Sequence, residues 1–108
     1  MKVKVPLVSA AEVKQMIDGG KNVVILDMRD EKDIKSMGSI RGSLNIVLED
    51  LMVRYSEIPK GKKVVIVDHA GKQTQITGRY LLKQGYSDLV GMEGGMKGGW
   101  IKAGYPVE

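Results

Sequence analysis

The most informative feature of this 108-residue sequence is a residue type that it lacks, because it contains no cysteine. Without a thiol, the chain can form no disulfide, no thiolate-ligated metal site and no cysteine-based covalent intermediate. Only one histidine is present and the carboxylates are scattered, so the sequence predicts neither a metal site nor a cofactor. The chemistry that remains belongs to carboxylates, basic side chains and backbone amides.

Aromatic side chains and long apolar runs are also scarce. The sequence has no phenylalanine and one tryptophan, and its seven methionines are expected to fill core space that aromatic rings would otherwise occupy. No stretch is long or apolar enough to span a bilayer, and the N-terminus lacks the apolar region of a signal peptide. We therefore expect a single domain over residues 1–108, located in the cytoplasm and not associated with a membrane.

The charge of the chain is modest. The formal net charge is +4, and the lysines and arginines are spread along the sequence. Proteins that bind nucleic acid usually concentrate basic residues on one face or in one run. The sequence therefore does not indicate nucleic acid as a partner.

Short apolar runs alternate with stretches of helical spacing. Five runs are predicted to be strands: Val3–Val8, Val23–Leu26, Leu44–Ile46, Val64–Val67 and Ser87–Gly91. Helices or helical turns are predicted to begin near Ser9, Asp30, Leu48, Thr74 and Met96. This alternation predicts an α/β fold: a three-layer sandwich of about five mostly parallel strands with helices on both faces.

The predicted helices also carry specific expectations about packing. Asp30 is expected to cap its helix, and Ile34 and Met37 are expected to face inward. Met52 shares the helical spacing of the apolar residues around it, so it is expected to be buried. Gly78 is expected to let its helix approach the sheet closely.

The stretch from Val64 to Thr74 is the most distinctive part of the chain. A buried strand stops at Asp68, a short polar loop with one glycine follows, and a helix begins near Thr74. In a parallel sheet this order directs the loop amides and the positive end of the helix dipole toward one point, which suits an anion. Asp68 would lie at that point, so the predicted anion cradle has a carboxylate at its centre.

Four segments resemble, in the right order, the signatures of the single-domain rhodanese (sulfurtransferase) family. They are LDMRD at 26–30, GSIRGSLNI at 38–46, VVIVDHAGKQT at 64–74, and EGGM at 93–96 followed by Trp100 and GYPV at 104–107. Together they cover nearly the whole chain. The resemblance implies a rhodanese-like fold in which 64–74 contains the active-site loop.

The resemblance also implies that the nucleophile is missing. In that family the loop begins with a cysteine that accepts a sulfane sulfur; a glycine, an arginine and a serine or threonine follow three, five and six residues later. Setting Gly71 and Thr74 on the glycine and the hydroxyl residue puts Asp68 on the cysteine and Gln73 on the arginine. The resemblance therefore implies a loop that has also lost the residue expected to help bind the anionic donor.

The candidate site residues form two sets. The active-site-like loop consists of Asp68, His69, Ala70, Gly71, Lys72, Gln73 and Thr74, and none of them is assigned a catalytic role. A possible pocket is formed by Asp27, Arg29 and Met96. We expect Asp68 to fill the cradle itself, with a stabilisation of ~0.3–1 kcal/mol from the helix N-terminus, and to hold the loop in its substrate-bound shape.

Three functional hypotheses remain open. The preferred one is a catalytically inactive rhodanese-like domain that acts as a binding or regulatory module, with another protein as the expected partner. The second is an enzyme of changed chemistry at Asp68 that depends on a phosphoanion or a metal, and the third is a sensor of a small oxyanion. The first is preferred because a carboxylate cannot form a persulfide and repels an anionic donor. Two unit charges ~4 Å apart repel by roughly 4 kcal/mol at an effective dielectric constant of about 20.

Overall fold

The computed structural model describes residues 4–108 and shows one sheet of five strands. The strands are β1 (Leu7–Val8), β2 (Val23–Asp27), β3 (Leu44–Asn45), β4 (Lys63–Val67) and β5 (Leu89–Met92). They lie in the order β1-β5-β4-β2-β3, and every neighbouring pair is parallel. The predicted five-stranded α/β architecture is confirmed. Val3, where the first predicted strand begins, lies outside the described residues.

Within residues 4–108, four α-helices connect the strands and one π-helix follows the last strand. They are α1 (Ala10–Asp18), α2 (Glu31–Met37), α3 (Leu51–Arg54), α4 (Thr74–Lys83) and the π-helix (Gly95–Trp100). Short 3-10 turns precede and follow α3, at Leu48–Asp50 and Tyr55–Glu57. None of the helices in this part of the chain is long and apolar enough to cross a bilayer.

The central strand, β4, separates two apolar layers because successive side chains point to opposite faces of the sheet. The layer under α3 and α4 contains Val64, Ile66, Leu51 and Leu81. The layer under α1 and the π-helix contains Val65, Val67, Val13 and Trp100. The strand is thus packed on both faces, which fixes the starting point of the loop that follows it.

The helix after that loop, α4, is held close to the sheet near its N-terminus. A Cβ at Gly78 would overlap Val5 Cγ2 and would lie 3.5 Å from Ile66 Cδ1, which confirms the expected close approach. Gln75 Nε2 donates to Val5 O at 2.9 Å, and Gln75 Oε1 accepts from Val5 N at 2.8 Å. The end of α4 that meets the loop is therefore fixed in position.

Two expectations about the helices are wrong. Met52 is 72 % exposed, because the segment around it changes from a 3-10 turn to one α-helical turn and back, so a single apolar face does not persist. Ile34 and Met37, by contrast, are half-buried whereas Lys32, Lys35 and Ser36 are exposed, so they lie on the inward side of α2 as expected. Asp30 occupies the N-cap position of α2, but its side chain accepts no capping hydrogen bond.

Candidate functional site

Two aspartates lie at adjacent strand ends on the carboxyl edge of the sheet. Asp27 is the last residue of β2 and pairs in register with Val67, the last residue of β4, and Asp68 follows directly. Each aspartate is only 1 % exposed. These two buried carboxylates are held by different partners.

Asp27 is neutralised by an arginine two residues later. Arg29 Nε donates to Asp27 Oδ1 at 3.0 Å and Arg29 Nη2 donates to Asp27 Oδ2 at 2.8 Å, while the backbone N of Arg29 donates to Oδ1 at 3.0 Å. Arg29 Nη2 also donates to Gly38 O at 2.8 Å. Asn45 Nδ2 donates to the main-chain oxygens of both Asp27 and Arg29. These bonds brace the turn between β2 and α2.

Asp68 takes its hydrogen bonds from the loop backbone. Gly71 N donates to Asp68 Oδ1 at 2.7 Å, and Gln73 N donates to Asp68 Oδ2 at 2.7 Å. Gln73 immediately precedes α4, so the second bond lies at the positive end of the helix dipole. Short N–H bonds to a carboxylate are about twice as strong as bonds between neutral groups. The carboxylate therefore uses two of the amides that the loop could offer to an anion.

The loop is also tied to the first turn of the π-helix. Met96 N donates to Asp68 O at 2.8 Å, and Lys97 N donates to His69 O at 2.9 Å. Gly95 has a φ of 60°, and a Cβ at this position would lie 2.5 Å from Asp68 O and 2.7 Å from Asp68 Oδ1. Only a glycine fits this contact without moving the loop.

A cleft of about 380 Å³ opens above the loop. Its lining residues are Asp68, His69, Ala70, Lys72 and Gln73 from the loop, with Met28, Arg29, Asp30, Asp33, Leu48 and Glu49 from the neighbouring segments. The sequence analysis did not identify Asp33 and Glu49 as site residues. Both lie in segments that follow the carboxyl ends of β2 and β3, and the predicted parallel topology is the signal that could have placed them here.

The predicted site residues have different degrees of exposure. Along the loop Asp68 and Thr74 are buried, Gly71 is half-buried, and the rest are exposed: His69, Ala70, Lys72 and Gln73. Of the possible pocket residues, Arg29 lines the cleft, whereas Asp27 and Met96 do not. Asp27 lies beneath Arg29, and Met96 is completely buried in the apolar layer under α1, because the π-helix begins at the sheet surface.

No group of three or more histidine, aspartate or glutamate side chains in residues 4–108 has the spacing needed to hold a metal ion. The acidic residues at the cleft come from α2, from the 3-10 turn before α3 and from the loop, and they surround the cleft instead of meeting at one point. What the arrangement offers is a fixed loop, one buried carboxylate on the floor of the cleft and an acidic rim.

Comparison with known proteins identifies the family. A profile of the rhodanese-like domain matches residues 9–102. The sulfurtransferase of Allochromatium vinosum is 28 % identical over 100 residues, which cover 93 % of this chain and 92 % of that protein. The thiosulfate sulfurtransferase GlpE of Shewanella oneidensis is 30 % identical over 95 residues, covering 88 % and 91 %.

The solved structures give the same result. A rhodanese-related protein from Thermoplasma volcanium superposes with a TM-score of 0.84 at 27 % identity, and the match covers 95 % of this chain and 97 % of that one. The profile match extends over most of the sequence and includes strands β2 to β5, the loop after β4 and the π-helix. This chain belongs to the rhodanese-like domain family.

Proposed function

We propose that this chain is a rhodanese-like domain that does not transfer sulfur and that acts by binding, with another protein as its partner. The observation that carries the proposal is the loop after β4, where the resemblance sets Asp68 on the position of the family's cysteine. The chain contains no cysteine anywhere else that could take over the reaction.

The hydrogen bonds of Asp68 support this proposal. Sulfur transfer in the family needs a thiolate that can accept a sulfane sulfur, and a carboxylate oxygen cannot form that persulfide. Here both carboxylate oxygens are bonded to the loop amides of Gly71 and Gln73, at 2.7 Å each. The carboxylate of Asp68 thus accepts the hydrogen bonds that the loop could otherwise donate to a bound anion.

The charge of the site argues in the same direction. An anionic donor such as thiosulfate would meet the carboxylate of Asp68 on the floor of the cleft and those of Asp30, Asp33 and Glu49 on its rim. A single carboxylate ~4 Å away opposes the anion by roughly 4 kcal/mol at an effective dielectric constant of about 20, which lowers affinity on the order of a thousandfold. Lys72 is one exposed cation, which offsets only part of the repulsion from these four carboxylates.

The two alternative hypotheses receive less support from the geometry. An enzyme that used Asp68 as a nucleophile would need a free and accessible carboxylate oxygen, whereas Asp68 is 1 % exposed and both oxygens accept hydrogen bonds. A sensor of small oxyanions would need unoccupied amides. Melting curves with divalent metals, phosphate, sulfate and thiosulfate test both alternatives, and a shift that depends on Asp68 or Lys72 would favour them.

The direct test is a sulfur-transfer assay from thiosulfate to cyanide. We expect no turnover from the natural chain and measurable turnover from Asp68→Cys or from Asp68→Cys combined with Gln73→Arg. The matched control is Asp68→Ser, which removes the carboxylate without supplying a thiol and should stay inactive. Circular dichroism establishes that each variant is folded.

The outcomes are clearly separated. Turnover in the cysteine variants alone would mean that the rest of the site remains competent and that the residue at position 68 prevents sulfur transfer. Turnover by the natural chain would overturn the proposal. Inactive but folded cysteine variants would contradict the expectation that positions 68 and 73 alone prevent sulfur transfer, and would mean that the surrounding loop is also unsuited to it.

A further inference from the structure

The cleft has a charge opposite to that of the whole chain. The formal net charge of the protein is +4, yet the cleft is lined by four carboxylates and only two cations. One of these cations, Arg29, is already paired with Asp27 beneath the cleft. None of the rim carboxylates, Asp30, Asp33 and Glu49, forms an ion pair within residues 4–108. The cleft therefore attracts cations.

Exposed apolar side chains lie in the segment that carries part of the acidic rim. Leu48 and Glu49 line the cleft, and Met52 and Val53 follow them by four residues each, in the short helix α3. Met52 is 72 % exposed and Val53 is 81 % exposed, the highest values among the large hydrophobic residues of 4–108. An apolar patch beside a charged cleft is typical of a protein-binding surface and has no use for a small inorganic ion.

Arg29 supplies an independent observation. It lines the cleft and is only 3 % exposed, and its Nη1 donates to no acceptor among residues 4–108. A buried guanidinium N–H without an acceptor is unfavourable, and native structures usually satisfy such a donor. Because Nη1 is itself buried, a main-chain carbonyl of a bound chain segment can accept from it only if docking shifts the side chains that cover it. A metal ion or a simple amine offers no acceptor at all.

We infer that the cleft docks a segment of a partner protein that carries lysine or arginine beside apolar residues. The basic side chain enters the cleft among Asp30, Asp33 and Glu49, and an apolar neighbour packs on Met52 and Val53. This inference rests on the proposed binding function and specifies the chemistry of the partner. Charge complementarity selects this occupant over an acidic peptide, which the rim would repel.

Two synthetic peptides of opposite charge test the inference. The probe is acetyl-Ala-Leu-Arg-Leu-Arg-Ala-amide, and its counterpart carries glutamate in place of both arginines. Each is titrated into the ¹⁵N-labelled full chain at low ionic strength while amide shifts are recorded. We expect saturable shifts at Asp30, Asp33, Glu49, Met52 and Val53 with the basic peptide only. Raising the salt to physiological strength should weaken binding severalfold, because the rim charges are exposed to solvent.

Matched variants distinguish binding at the acidic rim from general electrostatic attraction to the chain. Asp30→Asn/Asp33→Asn/Glu49→Gln should weaken binding of the basic peptide about tenfold. Glu12→Gln/Asp18→Asn/Asp88→Asn removes the same number of charges from other surfaces and should change affinity less than twofold. A third variant, Met52→Ser/Val53→Ser, should weaken binding about threefold while its salt dependence stays the same. Melting curves confirm that each variant is folded.

Several results would overturn the inference. They are equal binding of both peptides, shifts that map away from the cleft, no binding at all, or equal losses in the rim variant and its control. Putrescine is titrated as well, and cleft binding as tight as that of the peptide would point to a small cation in place of a protein. If the peptide fails while the natural chain shows no sulfur transfer, only the partner chemistry is wrong. Turnover by the natural chain would instead remove the proposed function itself.

Discussion

Asp27 and Asp68 are the same residue type at the same edge of the sheet and are equally buried, but different groups stabilise their carboxylates. Asp27 relies on another side chain, the guanidinium of Arg29, which forms two of its hydrogen bonds. Asp68 relies on two backbone amides, which are positioned by the shape of the loop. The pair at β2 therefore depends on residue identity, whereas the site after β4 depends on backbone conformation. Mutations can therefore test the Asp27–Arg29 pair and the Asp68 loop independently.

The largest effect should come from removing the carboxylate of Asp27. Asp27→Ala leaves the guanidinium of Arg29 buried and unpaired, and loss of one partner from a buried ion pair costs about 3–5 kcal/mol of unfolding free energy. Urea denaturation measures this loss. Asp18→Ala, at an exposed i,i+4 pair with Lys14, is the control and should cost less than about 1 kcal/mol. A similar small loss in both variants would contradict the role given to the Asp27–Arg29 pair.

A methyl group at position 95 should disturb the loop around Asp68 by pressing on its backbone. Gly95→Ala combines a positive φ with a Cβ only 2.5 Å from Asp68 O, so we expect a loss of about 2–4 kcal/mol in thermal or urea unfolding. Gly104→Ala is the matched control, because Gly104 has a φ of 80° and no atom within 4 Å of the added Cβ. The control should lose only about 1 kcal/mol. Equal losses would mean that contact with the loop adds nothing.

Removing the carboxylate of Asp68 should cost less than the same change at Asp27. Asp68→Ala leaves the amides of Gly71 and Gln73 without their acceptor, but both residues are at least half-open to water, so the expected loss is about 1–3 kcal/mol. The emptied loop should then accept an added anion. Sulfate at millimolar concentration should raise the melting temperature of Asp68→Ala more than that of the natural chain. A cost equal to that of Asp27→Ala would contradict the proposed difference.

Neutralising Asp68 without changing its shape should have the smallest effect. Asp68→Asn keeps one acceptor oxygen but directs an amide N–H toward one of the two donors, so we expect a loss of about 1 kcal/mol. Amide hydrogen exchange should accelerate at whichever of Gly71 and Gln73 loses its acceptor, because one of the two bonds is lost. Unchanged stability together with unchanged exchange would contradict the idea that the carboxylate orders the loop.

The architecture could be predicted because its signals are local. The apolar runs of β2 and β4 are continuous, and the glycine at 78 lies where α4 must approach the sheet. Packing on α3 could not be predicted, since the helical spacing around Met52 does not show that the segment changes to 3-10 geometry on either side. Helical spacing has physical meaning only while the helix type stays constant.

The candidate site could be predicted only in part for a similar reason. The loop was identified from its strand, turn and helix pattern, and Asp68 was expected at its centre. The rim residues Asp33 and Glu49 lie 35 and 19 residues from it in the sequence. They meet the loop only because parallel strands bring their carboxyl ends to one edge. Their charge has no local pattern that would distinguish it from an ordinary solvated surface.

The two hydrogen bonds from backbone amides to Asp68 also affect when the surface around the loop is ready to bind a partner. A loop that is organised by a transferable sulfur alternates between a loaded and an empty form as the reaction proceeds. In this chain the organising anion is part of the polypeptide, so no reductant, oxidant or sulfur supply can add it or take it away. The charge that orders the loop is therefore present from synthesis onward, and binding at the surrounding surface does not have to wait for a sulfur-loading step.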